Sequence, residues 1–269
     1  MKKSSTIEIV VSTMNEGIYR VLENFKLYLV EDVIVTIIHQ ITDGRQYSVD
    51  ISGFRYFAYF ETGLPTSRNR GLEHAIGDIL IPTDDDVSFD VGFCHAIRTA
   101  FEKKPDADII TFKAKTLDGA PYKHYPDRDF RHNWRTLLRV SSIEICLNRE
   151  TFIASGARWD FDYGLGAAFP GGLEVVFLQD CRRAKLSIYF EPSFIVCHPA
   201  ESSGKKFTPS TMRLRGAILS RAFNILTGAI LSGAFYVRKR KFLKASGIGL
   251  PIFLKSTFLG IKDYIKWSR

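Results

Sequence analysis

The sequence predicts an α/β protein in which helices cover both faces of a mostly parallel β-sheet and a basic helical extension follows at the C-terminus. Short apolar runs rich in Val and Ile alternate with longer stretches of helical periodicity, which is typical of a parallel sheet. Residues 205–269 contain fourteen Lys or Arg and one acidic residue, which leaves 23 basic and 28 acidic residues before them. We therefore expect an α/β domain over residues 1–203 and a basic helical extension over residues 204–269.

The predicted elements of the α/β domain alternate along the chain as a doubly wound sheet requires. Buried strands are expected at residues 7–11, 33–38, 56–60, 78–82, 107–112 and 143–147, and two closing strands at 186–190 and 194–198. Helices are expected at residues 18–29, 66–75, 91–103, 149–155 and 175–184, where apolar residues recur at helical spacing. Thr66 or Ser67 is expected to cap the second helix. The polar and aromatic residues 118–134 are expected to form a loop that faces an acceptor.

Three consecutive carboxylates, Asp84, Asp85 and Asp86, directly follow the predicted strand at 78–82. Ligands of open α/β sheets bind at the carboxyl ends of the strands. Adjacent carboxylates repel one another, and a bound cation relieves that repulsion. Hard oxygen ligands suit Mg²⁺ or Mn²⁺, which can also bridge to phosphates of a substrate. On these residues alone, a solvated acidic turn or a helix N-terminus is an equally good interpretation.

Other candidate residues follow predicted strands or precede predicted helices. Residues 12–17 form a polar loop after the first strand, able to hydrogen-bond a base or ribose. Arg68 lies near the start of the second helix, where it faces a nucleotide or simply carries surface charge. Glu174 precedes a helix and is either a catalytic base or a capping residue. His198, at the end of the last strand, is a candidate metal ligand or a structural histidine.

Taken together, these segments resemble the GT-A-fold, family-two glycosyltransferases of bacterial surface-polysaccharide synthesis. The resemblance rests on the loop at 63–71, the strand at 77–82, the cluster Asp84–Asp86 and the glycine-containing stretch 161–172, and it spans about residues 6–200. It implies an inverting enzyme, with a nucleotide-sugar donor that is most often UDP-linked. It also implies Mn²⁺ or Mg²⁺ as the cofactor and a glycan or lipid-linked acceptor.

The resemblance also assigns roles to individual residues. Glu174 is the implied catalytic base, and the metal is held by Asp86 with Asp84 and His198. The donor is contacted by Ser12, Thr13, Asn15, Glu16, Gln40, Arg68, Asp84 and Asp85. The loop on the acceptor and sugar side contributes Trp159, Asp162, Gly171 and Gly172.

The sequence departs from the family pattern at two places. Leu173 stands where the family carries the first acid of a Glu-Asp pair, and the second acid is Glu174 instead of Asp. The second strand ends in His39-Gln40 without the usual acidic run, so the acid that would contact uracil is not assigned. A catalytically impaired scaffold that binds nucleotides is therefore the alternative within this fold.

The C-terminal extension combines long apolar runs with basic clusters. Residues 216–237 are apolar enough to reach bilayer length, although Arg221 would be costly inside a membrane. The cluster 238–241 is Arg-Lys-Arg-Lys, which together with the apolar runs favours an anchor lying on an anionic membrane surface. The alternative is a set of helices that pack on the α/β domain with basic outer faces.

Partners and location follow from the same patterns. An extension bound to an anionic membrane favours a lipid-linked acceptor and a place on the inner face of the cell membrane. Residues 1–5 lead directly into a β-like run without a signal-peptide pattern, so we expect a cytoplasmic protein. The basic extension also suggests a nucleic-acid-binding protein, but no zinc or helix-turn-helix signature supports one, so no nucleic-acid partner is expected.

Overall fold

A computed structural model describes residues 5–199 and 207–268. Its strands are β1 Ile7–Met14, β2 Val33–Gln40, β3 Arg55–Tyr59, β4 Ile79–Asp84, β5 Ser88–Phe89, β6 Ile109–Lys115, β7 Phe130–Arg131, β8 Ile145–Asn148 and β9 Ile188–Cys197. Its α-helices are α1 Gly17–Phe25, α2 Leu64–His74, α3 Phe93–Lys103, α4 Arg149–Ala154, α5 Leu173–Arg183, α6 Pro209–Ala222, α7 Ile225–Ala245 and α8 Leu250–Trp267. Short 3₁₀ helices form at Lys26–Tyr28, Thr136–Arg139 and Ser142–Glu144.

The strands form a single mixed sheet in the order β3-β2-β1-β4-β8-β6-β9-β5, with β7 paired to β9. The block β3-β2-β1-β4 is parallel throughout, and β6 also runs parallel to β9. The pairs β4–β8, β6–β8, β5–β9 and β7–β9 are antiparallel and short. The predicted α/β class with a mostly parallel sheet is therefore confirmed.

Helices pack on both faces of the sheet because the strands present apolar side chains alternately to each side. In β4, Ile79 and Ile81 belong to a core with α1 and α3, which includes Phe25 and Ile97. Leu80, between them, belongs to the opposite core, with residues of α4 and α5. The central strands are thus buried on both sides, and polar residues at their carboxyl ends are held by a rigid framework.

Three predicted elements differ from the structure. The predicted strands at 186–190 and 194–198 are one strand, β9, whose register against β6 shifts opposite Pro192. Pro cannot donate a ladder hydrogen bond, so a bulge accommodates it within a continuous strand. The predicted strand at 143–147 begins with the 3₁₀ turn Ser142–Glu144, which has its own capping box. Helix α2 is preceded by Gly63 at φ 106°, so neither Thr66 nor Ser67 caps it.

The apolar stretch 216–237 is not a single helix, and the expectation that it could reach bilayer length is wrong. Helix α6 ends at Ala222, and α7 begins at Ile225 after Asn224, whose side chain accepts a hydrogen bond from Thr227 N–H. Across residues 5–199 and 207–268, no helix is both long enough and apolar enough to cross a bilayer.

Helix α6 connects the C-terminal helices to the α/β body. Arg221 of α6 donates to Asp160 at 2.8 Å and to both carboxylate oxygens of Asp180 on α5, at 3.0 and 2.7 Å. Val176 of α5 and Ala217 of α6 share one apolar cluster. The predicted boundary at residue 203 falls among residues 200–206, outside the described ranges, and the division into two domains stays a prediction.

Candidate active site

A cleft of about 930 Å³ opens at the carboxyl ends of the parallel strands. Strands β1 and β4 pair so that Ser12 lies beside Asp84, and Gln40 ends the neighbouring β2. Polar residues that follow parallel strands meet at one edge of a sheet, as the strand order requires. Eight residues expected from the sequence line this cleft: Ser12, Thr13, Gln40, Asp84, Asp85, Asp86, Glu174 and His198.

The three aspartates of the cluster face different partners. Asp84 accepts a hydrogen bond of 2.7 Å from Arg68 Nη2. Asp85 accepts bonds of 2.6 Å from Thr13 Oγ1 and 2.8 Å from Arg20 Nη2. Burial raises the pKa of Asp85, while the bond from Thr13 and the charge of Arg20 lower it. Two of the three carboxylates are therefore held in fixed orientations by the protein itself.

Asp86 differs because one of its oxygens has no protein partner. Its Oδ1 is buried and accepts no hydrogen bond, and it lies 3.5 Å from Nε2 of His198. The other ring nitrogen of His198, Nδ1, donates to the carbonyl of Pro199 at 2.6 Å. That bond places the proton of a neutral imidazole on Nδ1, so the lone pair of Nε2 points toward Asp86. In the neutral ring, the Nε2 lone pair and Asp86 Oδ1 thus face each other in the cleft.

This pair fits a divalent cation only in part. No group of three or more His, Cys, Asp or Glu side chains in the described part of the chain is arranged to hold a metal. Mg²⁺ and Mn²⁺ at phosphate-transfer sites commonly use one or two protein ligands, with substrate phosphates and water supplying the others. The orphaned Asp86 Oδ1 and the free Nε2 of His198 match that incomplete donor set. Asp84 is already engaged by Arg68 and is the less available oxygen ligand.

Glu174 lies in the first turn of α5, directly after Gly172 at φ 77° and Leu173. Its carboxylate lines the cleft but is otherwise enclosed by protein, and this burial raises its pKa. The positive charge of Arg68 and a hydrogen bond from Ser142 act in the opposite direction, whereas the charge of Asp84 raises the pKa further. A carboxylate with a raised pKa is a better proton acceptor than an exposed one, as general base catalysis requires.

Arg68 is a fully buried cation whose charge acts on both Asp84 and Glu174. Its side chain is 0 % exposed and pairs with Asp84, and it stacks over the ring of Trp159 at 5.6 Å. Its Nε and Nη1 atoms are buried and have no hydrogen-bond partner. Buried donors are normally satisfied, so these two atoms are exceptions within the described residues.

Three of the residues expected to contact the donor do not line the cleft: the buried Arg68, and Asn15 and Glu16 in the loop after β1. Asn15, in the left-handed region at φ 49°, accepts a hydrogen bond from the N–H of Thr42 and donates to its hydroxyl. Glu16 is exposed and forms an ion pair with Arg45. Both therefore shape the loop after β1 at the edge of the cleft, and their contact with a donor stays a prediction.

The residues expected on the acceptor side mostly contact other parts of the protein. Trp159 is 1 % exposed and stacks on Phe177 at 3.6 Å, so it lies in the core, and its contact with an acceptor stays a prediction. A Cβ atom on Gly171 would meet Leu214, and one on Gly172 would overlap Ile218, which shows that α6 packs against this loop. Asp162 lies in the same loop, and its N–H donates to Asp160.

Several residues of the cleft were not expected from the sequence. Arg20 donates a hydrogen bond to Asp85. The sequence feature that could have identified it is a basic residue in the first turn of the helix that follows the loop at 12–17. Ser142 lies 3.5 Å from Asp84 and has no local sequence signal. Tyr122 belongs to the predicted acceptor loop and meets His198 edge-on at 5.5 Å. Leu165 and Gly166 also line the cleft, and they belong to the expected glycine-containing stretch 161–172.

No protein-family model and no curated protein matches the sequence. Solved structures do share its fold. TarS residues 1–349 from S. aureus, in complex with UDP-GlcNAc, superposes with a TM-score of 0.60 at 13% identity, over 93% of this chain and 79% of that one. The same TarS fragment with UDP gives 0.57 at 14% identity, over 90% and 74%. The mannosyltransferase PcManGT from Pyrobaculum calidifontis, in complex with GDP-Man and Mn²⁺, gives 0.54 at 13% identity, over 98% and 88%.

These likenesses define the class of fold. The chain has the GT-A-like fold of proteins solved with nucleotide-sugars, which agrees with the predicted architecture. At such low identity the likeness carries the fold alone, and the chemistry must be argued from the residues of this cleft.

Proposed function

We propose that this protein is an inverting glycosyltransferase that transfers a sugar from a UDP-linked donor to an acceptor hydroxyl, with Mn²⁺ or Mg²⁺ as cofactor. The observation that carries this proposal is a single cleft containing both the cluster Asp84–Asp86 and a separate enclosed carboxylate, Glu174. The fold supports it, since TarS was solved with UDP-GlcNAc and PcManGT with GDP-Man and Mn²⁺.

On the donor side, Asp86 and His198 would hold the metal ion. When bound, the ion neutralises the charge that develops on the leaving diphosphate. Asp84 and Asp85 are held by Arg68 and by Thr13 with Arg20, so their free lone pairs keep fixed directions toward the ribose or the sugar. Preorganised groups of this kind need no rearrangement during the reaction.

On the acceptor side, Glu174 takes the proton of the attacking hydroxyl. The oxygen then attacks the anomeric carbon from the face opposite the diphosphate, so the configuration inverts. Arg68 stabilises the ionised form of Glu174 before the reaction, and burial keeps its proton affinity high. Leu173, in the place of the first acid of the family pair, is buried in the core and takes no part in this step.

The acceptor is proposed to be a glycan linked to a membrane lipid. Supporting this, α7 and α8 expose both large apolar and basic residues. The apolar ones are Leu226, Ile230, Val237, Phe242, Leu254 and Phe258, and the basic ones are Arg238, Arg240, Lys241, Lys244 and Lys255. An apolar surface flanked by cations fits the interface of an anionic bilayer. Each Lys or Arg near such a surface contributes about 1 kcal/mol. Sedimentation with phosphatidylglycerol vesicles, but not with phosphatidylcholine vesicles, is the expected result.

Calorimetric titration with UDP, GDP and CDP, each with and without Mn²⁺, tests the donor side. Metal-dependent binding of UDP in preference to the other two is expected. Asp86→Asn and His198→Ala should remove the Mn²⁺ dependence, while Glu150→Gln, an exposed carboxylate on α4 outside the cleft, serves as a control. Absence of nucleotide binding by folded protein would refute the proposal, and preference for GDP would replace the donor.

A second candidate is a protein that binds nucleotide-sugars without transferring the sugar. Leu173 favours it, because the family pattern has an acid there. The two candidates differ in turnover, since only the transferase releases UDP from a UDP-sugar, by transfer or by slow hydrolysis. Tight binding of a UDP-sugar without any UDP release would favour the second.

A further inference from the structure

A second cavity of about 540 Å³ borders the same loop that lines the cleft. Leu165 and Gly166 of this loop line the cleft, whereas the following residues 168–170 line the second cavity. Successive Cα atoms are 3.8 Å apart, so Gly166 and Ala168 are separated by at most about 8 Å. A chain-like ligand could thus occupy both cavities by passing over the loop.

The walls of the second cavity combine an aromatic ring with charged groups. Trp267 is 56% exposed, and its ring meets Phe169 edge-to-face at 6.1 Å. Arg213 donates to both oxygens of Asp263, at 2.5 and 2.8 Å, which neutralises that pair. Lys266 remains as an exposed cation in the last turn of α8. The cavity therefore presents an aromatic platform with a net positive charge.

Such a wall is chemically suited to an anionic sugar chain. The C–H groups on one face of a sugar ring carry partial positive charge and pack on the negative face of an indole. The planar Arg213–Asp263 pair offers both donors and acceptors to hydroxyl groups. Lys266 would pair with a carboxylate or phosphate on the chain.

We propose that this second cavity is an acceptor subsite for a glycan that carries carboxylate or phosphate groups. It rests on the proposed function, because it extends the acceptor side of the same cleft. The glycan end would lie near Glu174, and the preceding sugar units would lie against Trp267.

The geometry of α8 separates this subsite from the proposed membrane surface. Phe258 and Trp267 are nine residues apart, which at 3.6 residues per turn places them on opposite sides of the helix. Phe258 is 65% exposed and belongs to the outer apolar surface, whereas Trp267 borders the loop at 168–170. Phe258 therefore provides a matched control on the same helix.

The test is calorimetric titration of the full chain with tetragalacturonate, a phosphorylated oligomannoside and neutral maltotetraose. Trp267→Ala should weaken binding of the two anionic glycans at least tenfold, Trp267→Phe should retain most of it, and Phe258→Ala should leave it unchanged. Lys266→Gln should weaken the anionic glycans toward the affinity of maltotetraose. Thermal unfolding of each variant verifies the fold, and UDP titration should give the wild-type affinity throughout.

Two results would overturn the subsite: no anionic glycan bound by the wild type, or equal loss in the Trp267→Ala and Phe258→Ala variants. Loss of binding to phosphatidylglycerol vesicles in Trp267→Ala, with glycan binding intact, would also overturn it and assign Trp267 to the membrane surface. If the protein binds no nucleotide but binds glycans in a way that depends on Trp267, the proposed function is refuted and the glycan subsite is retained.

Discussion

Replacing Glu174 by Gln keeps the size of the side chain and removes its ability to accept a proton. General base catalysis typically contributes a factor of 10²–10⁴, so turnover should fall by at least about 100-fold, or about 2.7 kcal/mol in the activation free energy. The affinity for UDP should stay near that of the wild type, since the nucleotide is held by other residues in the proposed arrangement. The kcat/KM of the wild type should fall at acidic pH, with a midpoint above the ordinary carboxyl pKa, because burial raises the pKa of Glu174.

The same substitution should not destabilise the protein. A carboxyl whose pKa is higher in the folded than in the unfolded state stabilises the fold at low pH, and this contribution is lost as the pH rises through the folded pKa. Ionised Glu174 is therefore unfavourable to folding at neutral pH. Glu174→Gln should melt at the same or a higher temperature than the wild type, and the gain should be larger at pH 8 than at pH 5.

The assay follows UDP release at saturating donor, alongside thermal unfolding at both pH values. Glu150→Gln is the matched control, because Glu150 is an exposed carboxylate in the first turn of another helix, α4. It should leave turnover unchanged. Turnover in Glu174→Gln above about a tenth of the wild-type value would refute the base assignment. A lower melting temperature in that variant, at both pH values, would refute the account of its burial.

Further substitutions test buried groups in and near the cleft. Arg68→Met breaks the ion pair with Asp84, whose side chain is 32% exposed, and should cost about 1–3 kcal/mol, measured by urea unfolding. Lys123→Met leaves Glu144, which is 2% exposed, without its cation at 2.7 Å, and should cost on the order of 3 kcal/mol. The added change Glu144→Gln should recover part of that loss if the charge causes it. Trp159→Ala should cost about 3–5 kcal/mol, as expected of a core residue, whereas Trp159→Phe should cost less and keep the wild-type affinity for the acceptor.

The parallel half of the sheet could be predicted because its strands carry their signal locally. β1, β2 and β4 are short apolar runs buried on both faces, so hydrophobicity and length suffice to identify them. The meeting of Ser12 with Asp84 at one edge follows from parallel order alone. Placing Glu174 and His198 near them required the resemblance to a family, since neither residue is close to the cluster in the sequence.

What could not be predicted depends on contacts between distant segments. From the sequence, an aromatic residue beside a glycine-containing loop is equally compatible with a surface that binds a sugar and with a place in the core. The contacts of Trp159 with Phe177 and Asn69, which are distant in the sequence, show that it lies in the core. The break between α6 and α7 depends on Asn224, which caps the N-terminus of α7. A single capping residue inside a long apolar run is difficult to recognise from the sequence. Strand β9 similarly contains Pro192, and because a proline normally interrupts a strand, the sequence predicted two strands instead of one.

The ion pairs of Arg221 with Asp160 and Asp180 have a consequence for the evolution of this protein. Helix α5 begins at the cleft with Glu174 and ends against α6, where Arg183 also donates to the carbonyl of Ala222. Removal of the C-terminal helices would leave Asp160 without its cation and Asp180 with Arg183 alone, and would uncover Val176. The extension is therefore not interchangeable: a recombined chain with a foreign C-terminus would have to replace this ion pair and its apolar neighbours to keep α5, and with it Glu174, in position.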